Sequence, residues 1–474
     1  MKLKNLNKWI LKESDYKKSN VIIRSSTEEI TYKQLCERIG IFSSKISKAG
    51  INTGDKVVLI EKNSIAFVIA LLAVWEAGAV PVPINTRLTE KESLELINFA
   101  DCKIIISGNK FARKPETPVL GLINTRLTSN NFPKETGELN PDNEAVIIFT
   151  SGSKGKPKGV VHTYANLINS AKSTSETIEI SPEDSLLASL PFYHIGGLMI
   201  IVRTFLTGAR LVIPDTISTK DISAGIRKFD PAFVSLVPTM FSEILNEMAL
   251  PNSKLKAVFL GGGPSTSANL KQFINSKWPV AKVYGSSETC SMISLLKPGE
   301  FRSNPHSSGK AMPGCKIEIT ENGEVKVFSK SLFKQYYKNE KTDNSKGFLT
   351  GDFGHLDNNG YLYIESRRED LIVTGGENVN PREIEEIINS FPEIKESVVF
   401  PEPSDKWGEV ICAAASSDSI TESMFFKLTE FLRENIASHK IPKKYYFFTE
   451  LPKNEMGKII LKEKKSAKIF PENG

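Results

Sequence analysis

Short apolar segments alternate with longer amphipathic segments through the first two thirds of the chain. Helical spacing of apolar residues is clearest at 64–78 and 265–277. Segments with the length and apolar content of buried strands lie at KVVLIE (56–61), VPVPIN (80–85), CKIIIS (102–107), AVIIFT (145–150), LLASLPF (186–192), ARLVIP (209–214), AFVSLVP (232–238), KAVFLGG (256–262) and AKVYG (281–285). Repeated alternation of helix and buried strand is typical of α/β layers in which helices cover the sheets. We therefore predict one large α/β unit.

After about residue 310 the pattern changes to short strands and turns. In CKIEITENGEVKVF (315–328) the Asn322–Gly323 pair predicts a hairpin. From about residue 370 helix and strand patterns alternate again in a smaller unit. The charged segment SRREDLI (366–372) separates this unit from the preceding part of the chain. The predicted fold class is α/β, with layered α/β subdomains and a small β-barrel-like part, followed by a small mobile α+β domain. The predicted division is a large domain over 1–366, a hinge over 367–371 and a C-terminal domain over 372–474.

Composition narrows the class of protein only a little. Of 474 residues, 40% are hydrophobic and 24% are charged, as in ordinary globular proteins. The longest apolar runs, 67–74 and 195–202, are shorter than the roughly 18 residues that suggest a membrane span. The N-terminus lacks the apolar core of a signal peptide. We expect a cytoplasmic protein without membrane insertion.

Charge and cysteine usage argue against a nucleic-acid-binding protein, a disulfide framework and a zinc site. The net charge is +6, but the lysines are spread along the chain instead of forming a basic stripe, so no nucleic-acid partner is expected. The five cysteines form no CxxC pair, which argues against a disulfide framework and a zinc site.

The segment FTSGSKGKPKGVVH (149–162) follows a predicted strand and carries the chemistry of an anion-binding loop. It is not a Walker loop, because Gly152 and Gly155 are three residues apart and Lys156 precedes proline. The spacing GxGxxG is absent as well. Hydroxyl groups, close backbone approach at glycine and lysine charges all favour phosphate, although composition alone leaves a solvated basic turn open.

The string TSGSKGKPKG resembles the phosphate loop TSG[ST]TGxPKG of the adenylate-forming superfamily, which includes acyl-CoA synthetases, firefly luciferase and nonribosomal adenylation domains. Further motifs of this superfamily follow in its order: VYGSSET (283–289), TGD (350–352), SRREDLIVTGGENVNPREIE (366–385) and LPKNEMGKI (451–459). The chain is identified as a member on these motifs. One departure is Lys154, at a position that is usually threonine.

The resemblance implies two half-reactions. A carboxylate attacks the α-phosphorus of ATP to give acyl-AMP, and a thiol, usually that of coenzyme A, then displaces AMP. The implied co-substrates and cofactor are ATP, coenzyme A and Mg²⁺, and the implied mobile C-terminal domain serves each step in a different orientation. After its rotation we expect residues 375–377 to face the active site.

The resemblance also assigns the site residues. Thr150, Ser151, Gly152, Ser153 and Lys158 are expected to hold the β- and γ-phosphates, and Glu288 to bind Mg²⁺. Thr289 is expected to donate to the α-phosphate. Tyr284 with Gly285, and the turn containing Gly262 and Gly263, are expected to hold adenine, Asp352 the ribose, and Arg367 ribose or phosphate. Asp370 matches the hinge position, and Lys458 is expected to bridge the incoming carboxylate and the α-phosphate.

The acid is indicated by a weaker resemblance. PFYHIGGLMIIVRTF (191–205) and LGGGP resemble CoA ligases that act on 2-succinylbenzoate in menaquinone biosynthesis. His194 is then a catalytic or gating residue of the acyl pocket, with Ser286 beside the substrate. Because this acid is a dianion, Arg203 is a candidate for the carboxylate that does not react. A core histidine and a structurally paired arginine remain alternatives for His194 and Arg203.

Other functions stay open at this point. The chain could ligate another aryl or medium-chain acid to coenzyme A, or bind nucleotide without catalysis. A homo-oligomer is also left open.

Overall fold

The computed structural model describes residues 20–108, 117–121, 140–150, 157–263, 265, 267–367, 372–452 and 467–471. These residues form five β-sheets, numbered 1 to 5 below, and the helices that cover them. Within the described residues, no helix combines the length and hydropathy that crossing a membrane requires.

Sheet 1 has nine strands, and its centre is parallel. In spatial order the strands are β15 (Lys310–Ala311), β14 (Ser291–Leu296), β13 (Val280–Ser286), β12 (Ala257–Leu260), β11 (Phe233–Leu236), β9 (Ser185–Leu187), β10 (Arg210–Val212), β1 (Val21–Arg24) and β2 (Glu29–Thr31). The central strands are buried over their whole length, as expected for a parallel sheet covered on both faces.

Three smaller sheets complete the larger part of the molecule. Sheet 2 is parallel: β4 (Val80–Pro83), β3 (Lys56–Ile60), β5 (Ile104–Ser107) and β6 (Val119–Gly121). Sheet 3 is antiparallel: β18 (Gln335–Tyr336), β8 (Lys158–Thr163) and β7 (Glu144–Thr150). Sheet 4 is antiparallel: β16 (Cys315–Ile319), β17 (Glu324–Ser329), β19 (Phe348–Leu356) and β20 (Leu362–Arg367). Sheet 4 contains the predicted hairpin, with Gly323 at φ +86° in its turn.

Sheet 5 lies entirely in the C-terminal part, here residues 372–471. Its strands are β22 (Glu377–Val379), β21 (Ile372–Thr374), β24 (Gly408–Ser416), β25 (Lys444–Phe448) and β26 (Lys468–Pro471), with β23 (Glu396–Ser404) paired to β24. Two helices cover it with an apolar cluster of its own.

The helical segments predicted at 64–78 and 265–277 are confirmed, and eleven α-helices are described in all. They are α1 (Tyr32–Lys48), α2 (Ile65–Glu76), α3 (Glu90–Phe99), α4 (Tyr164–Thr177), α5 (Ile195–Leu206), α6 (Thr219–Phe229), α7 (Pro238–Glu247), α8 (Ser267–Asn275), α9 (Pro298–Phe301), α10 (Pro381–Asn389) and α11 (Glu422–Asn435). Ser or Thr side chains cap several N-termini; Thr89, for example, forms a capping box with Glu92 of α3.

Helices α2 and α5 are apolar on nearly all sides because they lie inside the large unit. Both contribute to one extended core cluster with residues of sheets 1, 2 and 3. The indole N–H of Trp75 in α2 donates to the carbonyl oxygen of Ala145 at 2.6 Å, which ties α2 to sheet 3. The sheets that carry the candidate site are thereby fixed to one another.

The predicted strand at 186–192 is shorter than expected. β9 ends at Leu187; the Ala188 N–H still donates to the Val212 carbonyl oxygen of β10 at 2.8 Å, but the Asn63 side chain bonds to several of the backbone groups that follow. The Asn63 amide donates to the carbonyl oxygens of Ala188 and Leu190, at 3.2 and 2.8 Å, and accepts from the Phe192 N–H at 2.9 Å. This satisfied but irregular backbone is free to form a cavity wall.

Candidate active site

A cavity of about 980 Å³ lies where the central strands of sheet 1 end. Its wall includes residues at or just after the carboxyl ends of four neighbouring strands, at 189–191, 237, 261–262 and 284–287. Open α/β sheets bind ligands at this edge. The cavity is also lined by residues 375–377 and by α10 of the C-terminal part. The expectation that residues 375–377 face the site agrees with this geometry.

Two side chains assigned to the nucleoside lie in contact. The Tyr284 hydroxyl donates to Asp352 Oδ2 at 2.7 Å, and the Asp352 carboxylate is buried at the cavity wall. Asp352 stands opposite Arg367 in the β19–β20 ladder, so the backbone brings Arg367 to the same place. An aromatic ring and a fixed carboxylate acceptor suit adenine and ribose.

The glycines near this pair occupy places that a side chain would disturb. Gly262 has φ +83° and lines the cavity, which lets the backbone approach a ligand. A Cβ atom on Gly285 would lie 1.8 Å from the carbonyl oxygen of Ser291. Gly263 lies next to Val373, at the junction with the C-terminal part.

Thr289 requires a correction. Its side chain is completely buried, and its hydroxyl accepts from the Ser286 N–H at 2.7 Å and lies 2.8 Å from the carbonyl oxygen of Ser291. Thr289 is not among the described residues that line the cavity. Its hydroxyl instead bonds to the backbone of the loop that contains it. Ser287 lines the cavity instead. The motif itself contained this signal, because Ser287 stands where YGxTE places its threonine.

Ser286 lies on the cavity wall as predicted. Its hydroxyl oxygen is buried and has no hydrogen-bond partner among the described residues. A buried polar atom of this kind normally has a partner, so a ligand group is the natural one here.

Two members of the predicted phosphate loop are described. Thr150 and Lys158 face each other in the β7–β8 ladder, and both line the cavity. The Lys158 ammonium lies 5.3 Å from the centre of the Tyr336 ring. Ser151, Gly152 and Ser153, as well as Asp370 and Lys458, lie outside the described residues, and their roles stay predictions.

Glu288 also lines the cavity, and its carboxylate accepts from the Tyr336 hydroxyl at 3.0 Å. Within the described part of the chain, no group of three or more His, Cys, Asp and Glu side chains could hold a metal ion. Mg²⁺ commonly uses one or two carboxylates together with substrate phosphates and water. One carboxylate beside a hydroxyl- and lysine-bearing loop therefore fits Mg²⁺ held jointly with a nucleotide.

His194 connects the two parts of the molecule. It precedes α5, and its Nε2 lies 3.1 and 3.0 Å from the two carboxylate oxygens of Glu377. Burial alone would raise the pKa of Glu377, but the charge and hydrogen bond of His194 outweigh burial and lower that pKa well below its usual range. His194 therefore has a defined partner at the cavity, which the sequence did not reveal.

Arg203 is a buried cation on the cavity wall. Its side chain is 1% exposed. The guanidinium donates to Thr174 Oγ1 at 3.2 Å and to Ser291 Oγ at 3.0 Å, both neutral acceptors. No carboxylate of the described residues forms an ion pair with it, and burial lowers its pKa to about 10. Thr174 lies on α4, so the inter-helix pairing left open for Arg203 is present, although both partners are neutral.

A further set of contacts joins α3 to the C-terminal part. Glu92 Oε1 accepts from the Lys440 ammonium and from the Ala437 N–H, each at 3.3 Å. Lys440 also donates to Glu383 at 2.6 Å. The Lys91 ammonium donates to Asn435 Oδ1 at 3.1 Å. Sequence reasoning missed these residues because no motif contains them.

Comparison with known families matches both parts. The AMP-binding enzyme family matches residues 12–337, and the AMP-binding enzyme C-terminal domain matches residues 383–458. The 2-succinylbenzoate–CoA ligase of Bacillus cereus is 30% identical over 97% of this chain and 98% of its own length.

Solved structures give the same result. The o-succinylbenzoate CoA synthetase (MenE) of Bacillus subtilis, as a double mutant bound with its product analogue OSB-NCoA, has a TM-score of 0.89 and 26% identity, covering 99% of this chain and 100% of that one. With the acyl-adenylate intermediate OSB-AMP, the same enzyme has a TM-score of 0.74 at equal coverage. From its motifs, its cavity and these matches, the chain belongs to the AMP-binding enzyme family.

Proposed function

We propose that this chain is an ATP-dependent acid–CoA ligase that converts 2-succinylbenzoate to 2-succinylbenzoyl-CoA through acyl-AMP, with release of pyrophosphate and AMP. The proposal is supported by the 2-succinylbenzoate–CoA ligases that match nearly the full chain and by the B. subtilis enzyme that binds the acyl-adenylate OSB-AMP. It places the enzyme in menaquinone biosynthesis and in the cytoplasm, and leaves a homo-oligomer open.

The observation that carries the choice of acid is Arg203. A buried guanidinium without a carboxylate partner among the described residues bears a desolvation cost that a bound anion would offset. 2-Succinylbenzoate has two carboxylates, of which only one reacts. Arg203 on the wall of the cavity binds the other.

In the first half-reaction the chain positions two anionic partners. Tyr284 and Asp352 hold the nucleoside, and Thr150, Lys158 and the hydroxyl groups of Ser286 and Ser287 contact phosphate. Mg²⁺, when bound, would be held by Glu288 together with the phosphates and would supply positive charge. The substrate carboxylate oxygen bonds to the α-phosphorus and the bond to pyrophosphate breaks. Lys458, by resemblance, neutralises both partners at that atom.

In the second half-reaction the C-terminal part completes the pocket. Residues 375–377 line the cavity, and Glu377 orients the His194 imidazole at its wall. The coenzyme A sulfur bonds to the acyl carbon, the bond to the AMP oxygen breaks, and the thiol proton goes to solvent or a nearby base. Of the described residues on that wall, His194 and His439 carry imidazole groups, and His194 is the one that contacts Glu377.

The test is pyrophosphate release with ATP, Mg²⁺ and coenzyme A against 2-succinylbenzoate, benzoate, octanoate and several amino acids. We expect a strong preference for 2-succinylbenzoate, with its thioester detected by mass. A preference for another acid would retain the mechanism and overturn the substrate. No release with any acid, despite ATP binding, would overturn catalysis and favour a non-catalytic nucleotide-binding protein.

A further inference from the structure

The two-residue strand β18 lies between the two loops that handle phosphate and metal. On one side its Tyr336 hydroxyl donates to Glu288 Oε1 at 3.0 Å. Two residues before this strand, the Phe333 N–H donates to the backbone carbonyl oxygen of Glu288 at 2.8 Å. The segment around β18 therefore fixes both the backbone and the carboxylate of Glu288.

On its other side β18 pairs with β8, the strand that begins with Lys158. Tyr336 stands opposite Val160 in this antiparallel ladder. The Lys158 ammonium lies 5.3 Å from the centre of the Tyr336 ring, within the range of a cation–π contact. One tyrosine thus touches the predicted phosphate-binding lysine with its ring and the predicted metal-binding carboxylate with its hydroxyl.

The neighbouring residue of the metal loop is anchored as well. His162 on β8 is completely buried, and its Nε2 lies 2.8 Å from the carbonyl oxygen of Ser287. Burial lowers the pKa of His162 to about 4, so the ring is neutral near pH 7 and donates this hydrogen bond. The backbone of the loop is thus fixed at Ser287 and Glu288. The side chain of Glu288 still has to be oriented by another group.

The hydroxyl of Tyr336 suits that task. As the donor in a 3.0 Å hydrogen bond, it holds Glu288 Oε1 from the side of β18. Among the described residues no hydrogen bond engages Glu288 Oε2, so the contact with Tyr336 restrains one oxygen and leaves the other to a cation. Hydrogen-bond donors behind metal-ligating carboxylates orient them in this way.

We propose that Tyr336 is a positioning residue for the first half-reaction: its hydroxyl orients Glu288 toward Mg²⁺, and its ring restrains Lys158 toward the nucleotide phosphates. This inference rests on the proposed function. Its consequence is that metal and nucleotide binding are linked through one side chain.

The main test compares Tyr336→Phe with Tyr337→Phe. Tyr337 is the adjacent residue, and its hydroxyl donates to the Ala100 carbonyl oxygen at 2.9 Å, away from Glu288. With ATP fixed and free Mg²⁺ varied, Tyr336→Phe is expected to raise the half-activating Mg²⁺ concentration for pyrophosphate release about tenfold. The rate at saturating Mg²⁺ is expected to stay within about twofold, and Tyr337→Phe is expected to match the parent.

A binding measurement tests the role of Tyr336 independently of the proposed ligase activity. Mn²⁺ binding to the complex of enzyme and α,β-methylene-ATP, followed by electron paramagnetic resonance, is expected to weaken about tenfold in Tyr336→Phe. Tyr336→Leu, which also removes the ring beside Lys158, is expected to weaken binding of the ATP analogue in addition.

Two results would overturn the role of Tyr336. Unchanged Mn²⁺ binding in Tyr336→Phe would do so, and so would an equal shift in Tyr337→Phe, which would indicate a general effect on the strand. If the parent releases no pyrophosphate with any acid, the proposed function fails, while Mn²⁺ binding still decides the inference.

Discussion

Arg203 is the residue whose surroundings are most readily explained by the substrate. Arg203→Met keeps most of the side-chain length and removes the charge. We expect kcat/KM for 2-succinylbenzoate to fall about 100-fold, because a buried charge pair loses one partner. For 4-oxo-4-phenylbutanoate, which lacks the ring carboxylate, kcat/KM is expected to change by less than about threefold, because no pair is lost.

The melting temperature of Arg203→Met gives the control. No carboxylate of the described residues is left unpaired by the change, so the melting temperature is expected to stay close to that of the parent. Equal losses with both acids would show that Arg203 supports the fold of the pocket instead of binding the second carboxylate.

Gly285 is a residue whose replacement tests the nucleotide wall. In Gly285→Ala the new methyl group would meet the Ser291 carbonyl oxygen, so the β13–β14 ladder must shift. We expect the free energy of unfolding in urea to fall by about 1–3 kcal/mol and ATP binding to weaken. Gly299→Ala is the matched control, because open space surrounds Gly299. Equal unfolding free energies for the two variants would contradict this account.

For individual residues, the sequence was informative where a motif requires a given residue type at a given position. Tyr284, Glu288 and Asp352 all line the cavity, as expected: Tyr284 and Glu288 lie at the carboxyl end of β13 in sheet 1, and Asp352 lies within β19 of sheet 4. Thr289 was misassigned because three hydroxyl residues stand close together in SSET, although the spacing of YGxTE already places its threonine at Ser287. The two partners of Arg203 are 29 and 88 residues away, which no local pattern encodes.

At the scale of elements, the predicted helices and strands are largely confirmed because their apolar periodicity reflects burial. The exception, β9, shows what periodicity omits. Residues 188–192 are mostly apolar and at least partly buried, yet the Asn63 side chain bonds to three of their backbone groups. A hydrogen bond from a residue 125 positions earlier in the chain cannot be read from the segment itself.

Helix α3 supplies the element-scale prediction. Lys440 is buried between Glu92 of α3 and Glu383 of α10, so it joins the two parts in this arrangement. In Lys440→Met we expect thioester formation from supplied acyl-AMP to fall about tenfold, because breaking a buried pair leaves carboxylates without a cation. Pyrophosphate release with 2-succinylbenzoate and ATP is expected to change by less than about twofold, because under the proposed function the arrangement seen here serves the second half-reaction and adenylation uses another.

Lys444→Met is the matched control for this prediction. Lys444 pairs with Glu402 inside the C-terminal part at 2.9 Å, on an exposed surface. Both half-reactions are expected to be normal in that variant. A parallel loss of both half-reactions in Lys440→Met would contradict a role confined to one arrangement.

At the scale of the whole molecule, composition and texture indicated two units, and sheet 5 with its own apolar cluster occupies residues 372–471. The predicted hinge at 367–371 stays a prediction, because residues 368–371 lie outside the described residues. The way the two units meet could not be predicted. The contact of His194 with Glu377 joins residues 183 positions apart and depends on the orientation of whole domains.

The structure as a whole is more similar to the B. subtilis enzyme with its product analogue than to the same enzyme with its acyl-adenylate. The B. subtilis enzyme has a TM-score of 0.89 with its product analogue and 0.74 with its acyl-adenylate. Under the proposed function, Lys458→Ala is expected to lower acyl-AMP formation more than about 100-fold, because the charge between two anions is lost. Thioester formation from supplied acyl-AMP is expected to remain within about threefold, since Lys458 acts by resemblance in the other orientation.

Lys444→Ala serves as the control for Lys458→Ala, because it removes a lysine from the same part of the chain. Both half-reactions are measured separately, by pyrophosphate release and by thioester mass. If Lys458→Ala lost both steps equally, the division of labour between two orientations would be wrong for this chain.

The turn at residues 375–377, which lines the cavity beside His194, has a consequence for fidelity. An acyl phosphate anhydride hydrolyses when water reaches it, and a covered site prevents this side reaction. While the C-terminal part closes the cavity, the activated acid meets the thiol in place of the solvent. ATP consumption is then expected to match thioester formation one for one, and a variant that loosens this closure would waste ATP on free acid.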